Sequence, residues 1–413
     1  MLKKLAIITT HPIQYYAPMF QLMAKEIDLK IFYTWGEAYL DKTDAGFKRQ
    51  IEWDLPLLDG YDFTFVKNTA KDQGTHHFNG IDNPALIQQV ESFTPDAVLV
   101  YGWAWKSHLK VIRYFKGKIP VYFRGDSTLL DHKFGLKSIL KQIFLKWVYR
   151  HIDQAFYVGK QNKVYFKNYG LNEKQLVFLP HAIDNERFSE DRHVAADILK
   201  AKLGLNLDDI LILFAGKFDI VKNPEILLDA VLELDLKHVH LLFVGNGLLE
   251  GRLKERVNGL QQKEMISSNL DEGVVSLKFK VGGQTKKEKK RIHFLDFQNQ
   301  SQMPIIYQAC DLFCLPSVSE TWGLAVNEAM ASGKAILVSN KVGCAIDLVK
   351  PKMNGNVFKS GDLADLKQKL RLLTENKDKL VQMGNLSKQI IKDWSFAKQI
   401  EVILDTIGNK HAK

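Results

Sequence analysis

Leu312-Phe313-Cys314-Leu315-Pro316-Ser317-Val318-Ser319-Glu320-Thr321-Trp322-Gly323-Leu324-Ala325-Val326-Asn327-Glu328-Ala329-Met330-Ala331 reads as one unit. A short apolar run gives way to a polar loop broken by Gly323, and small and apolar residues then follow at helical spacing. Strand, loop and helix in that order build an open parallel sheet, and ligands of such sheets sit beyond the carboxyl ends of the strands. Backbone N–H groups at the start of the helix favour an anion there. Gly323 lets a ligand come close to the backbone. Glu320 falls in the loop and Glu328 in the first turns of the helix, so the two carboxylates are able to hold different parts of one elongated ligand. The plainer alternative for either is a surface carboxylate that mildly stabilises a helix N-terminus.

The same unit recurs upstream as Phe214-Ala215-Gly216-Lys217-Phe218-Asp219-Ile220-Val221-Lys222-Asn223-Pro224. A strand runs into a glycine loop, and proline takes the first helical position. Lys217 and Lys222 flank this loop at the strand's carboxyl edge. Lysines there suit a pyrophosphate as compact point charges.

Around these two units, strand-like and helix-like stretches alternate almost from end to end. Residues 5–9, 29–34, 63–67, 97–101, 120–123, 155–158 and 177–179 form a first series of strand candidates, with helical patterns at 84–93, 106–115 and 133–150. The stretch 184–209 is polar, holds one short helical pattern, and reads as the connection between domains. A second series follows at 210–215, 239–244, 292–295, 312–315 and 335–338. The polar stretch 261–290 reads as an inserted hairpin or mobile loop whose lysine run is solvated. Beyond residue 363 the chain is helical. These observations predict an α/β protein of two doubly wound domains that face each other across a cleft.

Composition narrows the class. The chain has 413 residues, 46% of them hydrophobic and 25% charged, which excludes collagen-like and disordered chains. Three cysteines point to a reducing compartment without a disulfide framework, and each reads as a small core residue. No apolar run approaches the roughly 18 to 20 residues that span a bilayer. The start Met1-Leu2-Lys3-Lys4, followed by Leu5-Ala6-Ile7-Ile8, imitates a signal peptide, but His11-Pro12 cuts it short, so a buried first strand is expected. The net charge of +10 favours acidic partners: nucleic acid, an anionic membrane surface or phosphate-bearing ligands.

Taken together, Glu320 to Glu328, Gly216-Lys217…Lys222, Leu179-Pro180-His181-Ala182-Ile183-Asp184-Asn185-Glu186-Arg187-Phe188, Phe294-Leu295-Asp296-Phe297 and Tyr307-Gln308-Ala309-Cys310-Asp311-Leu312-Phe313 resemble the retaining glycosyltransferases of the family-4 (group 1) type. That family has the GT-B fold, two Rossmann-like domains. The resemblance is dense in the second half and loose in the first. It implies an N-terminal acceptor domain over 1–184, a donor domain over 185–394, and a C-terminal helix over 395–413 that crosses back onto the first. It implies that Glu320 holds donor-sugar hydroxyls and Glu328 the nucleotide ribose. By the same resemblance the backbone amides of Trp322, Gly323 and Leu324 bind the diphosphate, Lys217 and Lys222 neutralise the leaving group, Phe297 meets the base largely through its backbone, and Gly216 and Thr321 belong to the same donor-binding set. No metal and no cofactor are implied, the nucleotide sugar being a substrate. UDP is favoured over GDP by prevalence in the family, not by any residue.

The first domain departs from the family pattern. Its first loop, Thr10-His11-Pro12-Ile13-Gln14-Tyr15-Tyr16-Ala17-Pro18, contains no glycine. His11 and Gln14 face donor phosphate or acceptor in one reading, and His11 merely caps the loop in the other. Arg124 stands near the place where many members carry a histidine. It stays protonated and cannot be a base, but it suits bidentate binding of an acceptor phosphate. Asp126 either orients an acceptor hydroxyl or pairs with Arg124. Between His132 and Lys174 nine Lys/Arg face two acids. In the helix at 133–150, Leu136, Leu140, Ile143, Phe144 and Trp147 form an apolar stripe, with Lys133, Lys137 and Lys141 along another side. This is either a membrane-surface face that delivers a lipid-linked acceptor or an ordinary amphipathic helix with its stripe in the core. The two are compatible if only the lysines meet head groups.

The leading expectation is a retaining, metal-independent glycosyltransferase acting on a glycan or lipid-linked acceptor in bacterial cell-surface polysaccharide synthesis. It would work in the cytoplasm, peripheral to the inner membrane face. The alternatives are a related GT-B enzyme such as a nucleotide-sugar epimerase or a phosphorylase, a basic nucleic-acid-binding protein, and a GT-B-shaped scaffold without catalysis. No zinc-finger, helix-turn-helix or RNP pattern supports nucleic acid as a partner.

Overall fold

A computed structural model describes residues 3–39, 43–44, 49–50, 52–132, 135–259 and 290–408. Strands β1 (Lys4–Thr9), β2 (Asp28–Tyr33), β3 (Asp62–Phe65), β4 (Ala97–Tyr101), β5 (Val121–Arg124), β6 (Gln154–Tyr157) and β7 (Leu176–Phe178) form one parallel sheet in the order β3-β2-β1-β4-β5-β6-β7. Strands β8 (Ile210–Ala215), β9 (Val239–Val244), β10 (Ile292–Leu295), β11 (Leu312–Leu315), β12 (Ala335–Ser339) and β13 (Gly355–Phe358) form a second, β10-β9-β8-β11-β12-β13. A short antiparallel ribbon pairs Thr43–Asp44 with Arg49–Gln50.

Both sheets are buried on two faces, which is why their strands are unbroken apolar runs rather than alternating ones. Every residue of β8 and β9 is buried. Ile212 and Phe214 pack to one side of the second sheet, and Leu211 and Leu213 to the other. The first sheet divides in the same way, with Ala6 and Ile8 on one side and Leu5 and Ile7 on the other. In both, strand order reverses beside the first strand of the series, between β1 and β4 and between β8 and β11. At such a reversal neighbouring loops part and leave a crevice. Strand β1, Lys4–Thr9, is the buried first strand that the sequence predicts.

Three local readings differ from expectation, and a fourth falls outside the described residues. The stretch 184–209 carries two helices rather than one, Asn185–Ser189 and His193–Lys202. Strand β13 escapes the sequence pattern because it opens on Gly355-Asn356, both poor strand formers. The segment 261–290 lies outside the described residues, except for its last residue. Helix Leu136–Tyr149 buries Leu145, Val148 and Tyr149, whereas Leu136, Leu140, Ile143 and Phe144 are exposed. The inward-packed stripe is therefore overturned. The helix has two apolar sides, and periodicity alone does not say which one meets the core. Lys137 and Lys141 are exposed, and Lys133 lies outside the described residues.

The last helix, Phe396–Gly408, buries Phe396, Ile403 and Ile407 among Leu5, Ile7, Met19 and Phe20 of the first sheet's layer. The Tyr122 hydroxyl donates to the carbonyl of Thr406 at 3.2 Å. Cys310, Cys314 and Cys344 are buried and free. Among the described residues no helix is long and apolar enough to cross a membrane.

Candidate active site

The loops at the carboxyl edges of the two sheets enclose a cleft cavity of about 500 Å³. The second domain lines it with Gly216, Lys217, Lys222, Phe297, Glu320, Thr321, Trp322, Gly323, Leu324 and Glu328. Gln14, Tyr15, Trp53 and Asp126 line the opposite wall, and His181 lies at the crossing between domains. Every residue singled out from the two loop motifs of the second half therefore meets in one cavity.

The two motif loops are stitched together. The Val318 N–H donates to the carbonyl of Val221 at 2.8 Å. The Lys222 N–H donates to Asp219 Oδ1 at 2.8 Å, which fixes the turn that carries the lysine. Lys222 Nζ donates to Glu320 Oε2 and forms an ion pair with it. Glu320 is anchored through its backbone, its N–H donating to the carbonyl of Lys341 at 3.1 Å. Gly323, at the start of helix Leu324–Ala331, has φ +101°, and a Cβ there would lie 3.0 Å from Val342 Cγ1. Only glycine takes that conformation without strain. A cation, a carboxylate and the N-terminus of a helix are thus held side by side. This set is able to neutralise a diphosphate and grip the hydroxyls of an attached sugar.

Glu328 lies deeper, 3% exposed. The Tyr307 hydroxyl donates to its Oε2 at 2.8 Å, and the Tyr15 hydroxyl donates to its Oε1 at 3.0 Å from the other domain. Burial pushes the Glu328 carboxyl up from 4.5 to about 7, and the two tyrosine hydrogen bonds only partly counter it. Burial, with the carboxylate next in importance, raises both phenols well above their ordinary value, so they remain donors. From the loop before that helix the indole Nε1–H of Trp322 donates to Oδ1 of Asn327 on the helix at 3.0 Å, and Asn327 Nδ2 donates to the carbonyl of His181 at 2.8 Å. This chain ties the motif loop to the interdomain crossing.

The first-domain candidates sort differently. Gln14 and Asp126 line the cleft. Asp126 does not pair with Arg124; its Oδ2 accepts from Thr321 Oγ1 across the cleft at 3.0 Å. Arg124 is 3% exposed, and its two terminal nitrogens donate to the carbonyls of Leu179 and Pro180 at 3.1 and 3.3 Å. The guanidinium is committed to the crossing strand, which corrects the expected grip on an acceptor phosphate. His11 stacks on Tyr39 at 4.6 Å, meets Trp35 edge-on, and bonds through Nδ1 to Thr10 Oγ1 at 2.8 Å. It sits in an aromatic box beside the cleft lining rather than in it. Phe297 lines the cleft with its N–H given to Asn246 Oδ1 at 2.7 Å.

Several cleft residues escape sequence reasoning, Tyr15, Trp53, His181 and Tyr307 among them. Tyr15 stands inside a loop, Trp53 in an irregular stretch, and His181 and Tyr307 within longer motif stretches that do not single them out. Trp53 packs edge-on against Phe297 with ring centroids 6.0 Å apart, closing the cavity from the opposite domain. His181 is buried against Tyr16 and Trp322, burial drives its pKa well below the ordinary range, and its Nδ1 lacks a hydrogen-bond partner. A histidine straight after a proline at a strand's end was the available signal. Outside the cleft, Asp72, His76 and His77 bring three donor atoms within 4.8 Å of one another on an exposed loop, where the imidazoles already pair with the carboxylate.

Fold and site together define a two-domain GT-B protein whose second half brings two charged motif loops to the cleft. Residues 279–390 match the family model described as glycosyl transferases group 1, so the resemblance read from the motifs stands. The D-inositol 3-phosphate glycosyltransferase of Nocardia farcinica is 26% identical over 242 residues, covering 58% of this chain and 48% of that protein. The UDP-Gal:alpha-D-GlcNAc-diphosphoundecaprenol alpha-1,3-galactosyltransferase of Escherichia coli is 24% identical over 251 residues, 60% of this chain and 57% of that protein. The chain thus spans about half the length of the curated relatives it matches. HepE of Anabaena, solved in complex with UDP, superimposes with a TM-score of 0.69 at 16% identity, over 98% of this chain and 100% of its own. That likeness establishes the fold as GT-B.

Proposed function

We propose that this chain is a retaining, metal-independent glycosyltransferase that moves a sugar from a nucleotide donor, a UDP-sugar first, to a glycan or lipid-linked acceptor. Its setting is bacterial cell-surface polysaccharide synthesis at the inner face of the cytoplasmic membrane. One observation carries this reading: Glu320, Glu328, Lys217 and Lys222, from two separate loops, converge on a single cleft between facing parallel sheets. The group 1 match and the names of the relatives support the reaction class, and the UDP bound by HepE and the UDP-Gal in the name of the Escherichia coli relative support the base.

In this scheme Glu328 holds the ribose and Phe297 borders the base. Lys217, Lys222 and the start of helix Leu324–Ala331 take the diphosphate. Glu320 holds hydroxyls of the sugar. The bond between anomeric carbon and phosphate oxygen breaks as the acceptor oxygen attacks the same face. The acceptor's proton passes to the leaving phosphate oxygen, so no protein base is needed. Preorganised positive charge around the departing diphosphate supplies the main stabilisation.

The test is a thermal-shift screen of UDP, GDP, ADP and their common sugar conjugates, with EDTA present, on the wild type and Glu328→Ala. A ligand at 100 times its dissociation constant adds about 2.7 kcal/mol of stability. Stabilisation of the wild type by a uridine ligand, reduced in the variant, supports the reading. A folded wild type that answers to no nucleotide overturns the donor site, and steeply salt-dependent binding of DNA or RNA would then favour the nucleic-acid alternative.

A further inference from the structure

Helix Leu136–Tyr149 presents to solvent what a soluble helix hides. Leu136 is 83% exposed, Ile139 54%, Leu140 68%, Ile143 63% and Phe144 39%. At 100° per residue these side chains share one arc, and the buried Leu145, Val148 and Tyr149 lie on the opposite one. The core is therefore served by the second arc and does not account for the first. Contiguous exposed apolar surface of this kind marks an interaction site.

We propose that this outward face is an in-plane docking surface for an anionic lipid bilayer. Charge complementarity selects that occupant. Lys137 flanks the apolar arc on one side and Lys146 on the other, Lys141 lies further round beyond Lys137 and Arg150 caps the C-terminal end, all four exposed, and no acidic residue stands between Asp131 and Asp153. An apolar face between two cationic flanks is the pattern of a helix lying at the headgroup boundary. The aromatic side chains fit the same boundary. Trp103 and Trp147 are half-buried against Phe144 with centroids 5.5 and 5.7 Å away, and the Arg113 guanidinium lies 5.2 Å over Trp147. At 14 residues the helix is too short to cross a bilayer, so it lies in the surface plane. A second copy of the chain is the poorer occupant. A two-fold contact would set cationic flanks against cationic flanks, with no acid on the helix to pair them.

Docking would also orient the cleft. Asp131, just before this helix, accepts from Ser319 Oγ and pairs with Lys341 of the second domain at 3.2 Å. Ser319 adjoins the cleft-lining Glu320, so Asp131, five residues before the helix, stands beside the rim of the cavity. Delivery of a membrane-embedded acceptor to that rim rests on the transferase reading; docking itself does not, because vesicle binding needs neither donor nor turnover.

The experiment is co-sedimentation of the full chain with vesicles of phosphatidylcholine alone and of phosphatidylcholine mixed with phosphatidylglycerol, with light scattering and melting temperature measured in parallel. The variants are Leu140→Glu/Ile143→Glu on the outward face, Lys137→Gln/Lys141→Gln on one flank, and Val194→Glu/Ile198→Glu as a control. Val194 and Ile198 are 63% and 52% exposed on a helix of the other domain. The wild type should bind the anionic vesicles and prefer them to the neutral ones, less so at high salt. Leu140→Glu/Ile143→Glu should lose at least about tenfold in binding with an unchanged melting temperature. Lys137→Gln/Lys141→Gln should lose severalfold on anionic vesicles, and the control should bind as the wild type does. A wild type that ignores anionic vesicles, or a Leu140→Glu/Ile143→Glu variant that binds them fully, overturns the proposal. So does a wild-type dimer that this variant splits while vesicle binding persists, which would make the face a contact between copies.

Discussion

The two walls of the cleft are built by different rules. On the second-domain wall, Lys217 and Lys222 share one loop, and Glu320 and Glu328 share one loop-to-helix unit. Their relative positions are set mainly by local geometry and one stitch between loops, Val318 to Val221. On the opposite wall, Gln14, Trp53 and Asp126 come from three separate connections of the first sheet, and only its packing brings them together. The contrast teaches that charged groups close in sequence are placed by one contiguous motif, whereas a wall drawn from independent loops depends on the packing of the whole sheet. It also separates two kinds of side chain. Cations and carboxylates of the second-domain wall answer one another directly, as Lys222 answers Glu320. On the opposite side Asp126 accepts from Thr321 across the cleft, and Arg124, buried behind the wall, is held by the carbonyls of Leu179 and Pro180.

The largest expected effect sharpens this contrast. Lys217→Ala and Glu320→Ala should each lower kcat about 100- to 1000-fold, the range for removing one preorganised group that faces developing charge. Gln14→Ala should cost far less. Release of nucleoside diphosphate in steady-state assays measures all three, and comparable losses on both walls would break the comparison.

Glu328 gives the next effect, through pH. Its folded carboxyl sits near 7 against an ordinary 4.5 because of burial. The folded state thus holds this proton more tightly than the unfolded chain. The stability it contributes is fully present below about pH 4.5 and is lost as pH rises through 7, by up to about 3 kcal/mol. The ligand-free wild type should melt progressively lower between pH 5 and pH 8, over and above the slope of Glu328→Gln. Parallel pH profiles for the two proteins would show that the carboxyl is not raised.

Tyr15→Phe should have a smaller effect. It removes the hydrogen bond that reaches Glu328 from the first domain and costs about 1 kcal/mol. Because that bond lowers the Glu328 carboxyl, its loss should shift the pH at which the stability is lost upward. A variant that melts and titrates as the wild type does would mean that Tyr15 plays no part in holding the domains. The smallest effect belongs to the first domain's outer helix. Leu140→Ala should change stability by no more than about 0.5 kcal/mol, because its side chain is already in water. A larger loss in urea unfolding would show that the outward face is covered in solution.

Much of this was legible in the residues. The apolar runs of β8, β9 and β11 carry β-branched or aromatic side chains and end at loops with glycine or proline, so parallel strands were readable. The Glu320–Glu328 and Gly216–Lys222 loops were readable for the same reason: strand, loop and helix are all short-range. Strand β13 was not, since Gly355 and Asn356 hold strand geometry only through the pairing of Gly355 with Ile336. Arg124 and His181 were misplaced or passed over because their partners stand 55 residues away and 146 residues away, respectively.

The sequence by itself determined the two-series α/β plan, the two charged motif loops of the second half and the cationic character of the helix at Leu136–Tyr149. Each depends on residues within a few positions of one another, where backbone sterics and side-chain periodicity act. The tertiary structure alone decided which apolar arc of that helix meets the core, that Tyr15 crosses the cleft to Glu328, and that Arg124 is spent on the interdomain crossing. Those outcomes depend on which distant surfaces exclude water together, and burial of one surface against another has no signature in local spacing.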